Sequence, residues 1–178
     1  MIMKKIVLFS LFLSLLAFRN SFAEATAKDY VSQGIACRND GDLDQAVLAF
    51  TRAIEVDPDY PDAYLNRGIA YRNTGKLDEA ISDFTKASEF DLHNPQIYSN
   101  RGNAYAAKND YDSAIADLSR ALEFNPNDGE IYFNRANVYY AEQKYDQAWE
   151  DVRKAEGLGY KVNDRFLSKL STASGKDK

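Results

Sequence analysis

The stretch Asn66-Arg67-Gly68-Ile69-Ala70-Tyr71 returns as Asn100-Arg101-Gly102-Asn103-Ala104-Tyr105 and again as Asn134-Arg135-Ala136-Asn137-Val138-Tyr139, at steps of 34 residues. One step earlier lies a weaker copy, Ser32-Gln33-Gly34-Ile35-Ala36-Cys37. Four copies therefore run without insertion or deletion over 27–60, 61–94, 95–128 and 129–162. A period of this length is the mark of an array in which each unit buries its apolar face only against its neighbours.

Small and large residues hold fixed places in each copy. The eighth position is Gly34, Gly68, Gly102 and Ala136; the twentieth is Ala46, Ala80, Ala114 and Ala148; the twenty-seventh is Ala53, Ala87, Ala121 and Ala155. Aromatic or large apolar residues occupy the fourth (Tyr30, Tyr64, Tyr98, Tyr132), the seventeenth (Leu43, Leu77, Tyr111, Tyr145) and the twenty-fourth (Phe50, Phe84, Leu118, Val152). Helical spacing of such positions predicts two amphipathic helices per copy. A small residue facing a bulky one lets an antiparallel pair approach closely. Gly41, Gly75 and Asn109 fall between the two helical runs, where a helix end favours a left-handed residue. Asp44, Asp78, Asp112 and Asp146 fall in the opening turn of the second helix, where they meet the helix dipole favourably.

Period, small-residue positions, aromatic positions and terminal prolines (Pro58, Pro126) together resemble the tetratricopeptide repeat. The resemblance covers 27–162 and implies an all-α fold, a right-handed solenoid of four helical hairpins. Cys37 in the tyrosine slot, Ala136 in the glycine slot, and Leu92 and Tyr160 in the proline slot depart from the pattern. Val162, Phe166, Leu167 and Leu170 on a polar segment predict a capping helix over about 163–172, similar to the solvating helix of this family; a dimer contact is the other reading of that apolar face. Residues 173–178 are expected to form a disordered tail. Cys37, in an inward slot, is expected to be a small buried thiol. As the single cysteine it can form no intramolecular disulfide.

The chain opens differently. Lys4 and Lys5 precede an apolar run from Ile6 to Phe18, and Ser21 and Ala23 are the small residues a signal peptidase needs. The run would reach about 20 Å as a helix against the ~30 Å of a hydrocarbon core, so a cleaved signal peptide (1–23) is expected in preference to an anchor. The expected location is periplasmic or secreted. Three of the 22 basic residues lie in this segment and all 27 acidic ones lie beyond it, so the processed chain is more acidic than the net −5 of the whole. Without a basic cluster, such a chain is a poor partner for nucleic acid or anionic membrane.

Catalytic parts are scarce. His93 is the single histidine, and no phosphate loop, Gly-x-Ser-x-Gly elbow or dinucleotide fingerprint occurs. No cofactor, metal or enzymatic activity is expected. The resemblance instead implies protein binding, with first helices lining a concave groove at the second, fifth, sixth, ninth, twelfth and thirteenth positions. The groove candidates are Val31, Ile35, Leu65 and Ile69 as an apolar first half, a second half lined by amides (Asn100, Asn103, Asn134, Asn137) with Phe133 among them, and Asn66 one repeat before Asn100. Asn66, Asn100 and Asn134 form a ladder similar to that of O-linked N-acetylglucosamine transferases, where amides hold a peptide backbone. Either such gripping, or bonding of each amide to its own neighbours, fits the residues. The carboxylate clamp that binds acidic chaperone tails is ruled out, because its basic positions hold Val31, Gln96 and Asn100, or Leu65, Glu130 and Asn134. The expected function is an envelope adaptor binding an extended peptide or helix, with a self-associating structural module as the alternative; a monomer is expected.

One charge pattern concerns the stack itself. The seventh position is Arg67, Arg101 and Arg135 and the twenty-third is Asp83, Asp117 and Asp151, whereas the first copy has Gln33 and Ala49. The joint loss predicts an Arg–Asp pair bridging the two helices of one repeat. Pairing to a neighbouring repeat and independent surface charges are the alternatives.

Overall fold

The computed structural model describes residues 25–176. Within them are nine helices and no strands: α1 (Ala27–Asn39), α2 (Leu43–Val56), α3 (Pro61–Asn73), α4 (Leu77–Phe90), α5 (Pro95–Ala107), α6 (Tyr111–Phe124), α7 (Gly129–Ala141), α8 (Tyr145–Gly157) and α9 (Asp164–Ser174). The expected signal segment and its cleavage point lie outside the described residues, as do 177–178.

Odd-numbered helices α1 to α7 open on the first residue of each 34-residue copy. Pro61 and Pro95 stand at the first turn of α3 and α5, where a missing N–H costs nothing. Each hairpin turns on a residue of positive φ: Gly41 (85°), Gly75 (78°), Asn109 (63°) and Gln143 (61°). The last is a side chain in the left-handed region, which carries a steric cost that glycine avoids.

Close approach explains the small eighth position. A Cβ on Gly34 would lie 2.5 Å from the Phe50 ring, and one on Gly68 would lie 2.7 Å from the Phe84 ring. In the fourth repeat the opposing residue is the smaller Val152, and there the eighth position can be Ala136; both are fully buried.

Each second helix packs on its own first helix and on the first helix of the next repeat, while α1, α3, α5 and α7 also touch in sequence. First helices are thus enclosed on several sides, and second helices keep one face exposed, which on α2 and α4 includes Leu48, Val56 and Phe90. Tyr64 and Tyr98 tie the turns between repeats, their hydroxyls donating to the carbonyls of Pro58 and Leu92, each at 3.0 Å.

The Arg–Asp pairs bridge the two helices of one repeat. Arg67 donates from Nε to Asp83 Oδ2 and from Nη2 to Oδ1, both at 2.8 Å, and Arg135 holds Asp151 in the same way at 2.8 and 2.9 Å. Each arginine also reaches back one repeat: Arg67 Nη1 donates to Thr51 Oγ1 at 3.1 Å and Arg135 Nη1 to Ser119 Oγ at 2.8 Å. The guanidinium therefore joins three helices. Repeat 1 has no earlier hairpin to reach among the described residues, and there Gln33 and Ala49 replace the pair. Tyr71 and Tyr139 flank Arg67 and Arg135 with their ring faces. Cys37 takes that tyrosine slot in the one repeat without an arginine to cover. It is half-buried at the edge of the first core cluster, not fully buried as expected.

α9 stands in the register of a fifth first helix. Phe166 occupies the tyrosine position and Leu170 the glycine position, where no second helix of its own presses against it. Both are buried, with Val162, against Trp149, Val152 and Ala155. The face suggested above as a dimer contact is thus covered from within the chain. Ala173 and Ser174, expected in the tail, form the last turn of α9, capped by Gly175 in the left-handed region.

Candidate functional site

The groove candidates lie on first helices, but they separate into three groups. Val31 and Leu65 are only 6% and 5% exposed, so neither lines a groove. Val31 sits in a cluster with Ala63 and Ala70 of α3, and Leu65 in one with Ile97 and Ala104 of α5. The fifth position points at the next first helix, and this is the physical reason for the correction. Phe133 obeys the same rule: it stacks on Tyr160 at 5.3 Å and meets Phe166 edge-on at 5.2 Å, under the capping helix. It too is packing, not groove.

Ile35 and Ile69 form the second group. Both are partly buried at the margin of a core cluster, and Ile69 also borders a cavity.

The asparagines form the third, and their bonding differs along the ladder. Asn66 is engaged twice: Nδ2 donates to Asp62 O at 2.8 Å and Oδ1 accepts from Arg38 Nη1 at 2.9 Å. Asn100 donates to Gln96 O at 2.7 Å, and Asn137 to Phe133 O at 2.8 Å, each within its own helix. Their acceptor oxygens remain open. Asn103 and Asn134 make no side-chain hydrogen bond among the described residues. Local bonding thus explains part of the ladder and leaves the rest available.

Two cavities run along this face. One of about 400 Å³ lies between α3, α5 and α7 and is bordered by Ile69, Arg72, Ser99, Asn100, Asn103 and Glu130. Another of about 270 Å³ lies between α5 and α7, bordered by Asn103, Asn134, Asn137 and Tyr111. Asn103 borders both.

Arg72 was not among the groove candidates. It occupies the twelfth position, one of those the resemblance places on the concave face, and Arg38 one repeat earlier was the signal that could have found it. Burial lowers the pKa of its guanidinium, and the charge of Glu130 across the cavity partly opposes that shift. The Glu130 side chain makes no hydrogen bond or close ion pair among the described residues, while Asp128 beside it caps α7 by accepting from the N–H groups of Glu130 and Ile131. Among the described residues no cluster of three or more His, Cys, Asp or Glu could hold a metal ion, and no helix is long and apolar enough to cross a membrane.

A model of the TPR repeat matches residues 34–75, 70–108 and 102–143. The chain belongs to the TPR repeat family. The match supports a protein-interaction module of helical hairpins, and nothing in it points to catalysis. No curated protein matches the chain by sequence. Among solved structures, this TPR chain is similar to MamA, with a TM-score of 0.75 and 24% identity over 84% of this chain and 82% of that one. That likeness concerns the fold alone. It is also similar to the first TPR of Spaghetti (RPAP3) bound to the HSP90 peptide SRMEEVD, with a TM-score of 0.64 and 28% identity over 65% of this chain and 92% of that one. The Arabidopsis OM64 TPR domain gives a TM-score of 0.64 and 25% identity over 65% and 96%.

Proposed function

We propose that this TPR protein is an exported adaptor that holds an extended segment of another protein along the polar part of its concave face. The observation that carries the reading is the pair of neighbouring cavities that share Asn103, bordered by Asn103 and Asn134 with unbonded amides and by Asn100 with an open acceptor. A carboxamide offers a donor and an acceptor together, the complement of a peptide group, and serves it whatever side chains the segment carries. A related TPR domain taken with a peptide supports the view that such a face can seat an extended chain. Export rests on the character of residues 1–23, and with it an envelope or extracellular partner.

The test is site-specific photo-crosslinking in the native envelope. A photoreactive residue in place of Asn103 is expected to trap a discrete protein product, whereas one in place of Glu150, exposed on α8, is expected to trap none. Equal products from both positions, or none from Asn103, would overturn the groove as the binding face.

A further inference from the structure

The half-buried arginines of the described chain are Arg38, Arg67, Arg72, Arg101 and Arg135. Four are satisfied: Arg38 by Asn66, and the other three by Asp83, Asp117 and Asp151. Arg72 alone makes no hydrogen bond or ion pair, although it stands in the repeat position of Arg38 and Asn100 stands in that of Asn66. Its guanidinium borders the larger cavity, with Asn100 and Asn103 on one side and the unpaired carboxylate of Glu130 across from it. A desolvated guanidinium with open N–H groups calls for an oxyanion, which can take two parallel bonds from it.

We propose that the cavity beside Arg72 receives one Asp or Glu side chain of the bound segment, with a Lys or Arg of the same segment placed against Glu130. This rests on the groove reading above and names what the groove selects. The carboxylate would meet the guanidinium and an amide N–H of Asn100 or Asn103. Glu130 sets the second half of the preference: it repels a segment carrying several acids and favours an adjacent cation. The charge of the chain points the same way, since an acidic protein suits a partner segment that is not itself strongly acidic.

The experiment is an array of nine-residue peptides of varied sequence, acetylated and amidated at their ends, probed with the exported protein and three variants. Wild type is expected to retain peptides that pair one carboxylate with a nearby basic residue. Arg72→Gln should weaken these about tenfold, the worth of a charge-assisted bond, and Glu130→Lys should admit peptides with several acids. Asn103→Arg, a bulky residue on the border of both cavities, should block all of them. The melting temperature of Arg72→Gln should be unchanged or raised, because no partner is lost; a lowered one would reveal a structural role and overturn the proposal. If Asn103→Arg blocks binding and Arg72→Gln does not weaken it, the groove reading stands and this proposal fails. Binding that appears only when the same array is remade with free C-termini would also overturn it, in favour of a terminal carboxylate. If Asn103→Arg blocks nothing, both readings fail.

Discussion

Arg101 holds Asp117 by two parallel hydrogen bonds, Nε to Oδ2 at 2.7 Å and Nη2 to Oδ1 at 2.9 Å, and its Nη1 reaches Thr85 and Ser88 of the preceding repeat. Asp117 is buried, so removing the arginine leaves a carboxylate short of partners. Arg101→Ala and Asp117→Ala are each expected to cost about 2–4 kcal/mol. The double variant should cost clearly less than the sum, measured by denaturant unfolding as a double-mutant cycle. Additive losses would mean that the two charges act separately.

The pairing of the eighth and twenty-fourth positions makes a second test. Gly68→Ala places a methyl 2.7 Å from the Phe84 ring and is expected to destabilise by about 1–3 kcal/mol. Adding Phe84→Val recreates the Ala136 and Val152 combination of the fourth repeat. The double variant should then lose less than Gly68→Ala and Phe84→Val summed. A plain sum would mean the close approach is not what keeps the position small.

How much of this was legible in the sequence depended on whether a feature repeats. Arg67 and Asp83 declared each other because they vanish together in the first repeat. The hydroxyl row of Thr51, Thr85 and Ser119 stands in the same alignment but predicts nothing there, because a lone Ser or Thr on a helix carries no signal until its partner is placed. The fifth position misled for a different reason. Its row of Val31, Leu65, Ser99 and Phe133 lies beside the groove row on the helix, and a few tens of degrees decide whether a side chain meets solvent or the next helix. Arg72 could be put on the concave face from its position alone, but its lack of a partner is a matter of distances.

That correction is testable by contrast. Leu65→Asp should cost about 3–5 kcal/mol, since it places a carboxylate in the core between α3 and α5. Ile69→Asp, at the cluster margin and open to the cavity, should cost about 1–2 kcal/mol. Thermal melting followed by circular dichroism separates them. Equal losses would mean that the fifth and ninth positions do not differ in burial.

Export has its own measurement. The intact mass of the protein recovered from outside the cytoplasm should correspond to a chain beginning at Glu24. A mass that includes Met1 would remove both the cleavage and the envelope location.

The most direct test of the binding account watches the groove amides themselves. Asparagine side-chain NH2 groups give resolved signals in ¹⁵N-correlated NMR spectra. On titration with the peptide recovered from the Asn103 cross-link, the signals of Asn100, Asn103 and Asn134 should shift first and together. The Nε–H signals of Arg67, Arg101 and Arg135, held in the stack, should stay in place. Shifts centred on the outer faces of α4 and α6, with the groove amides unmoved, would contradict the account.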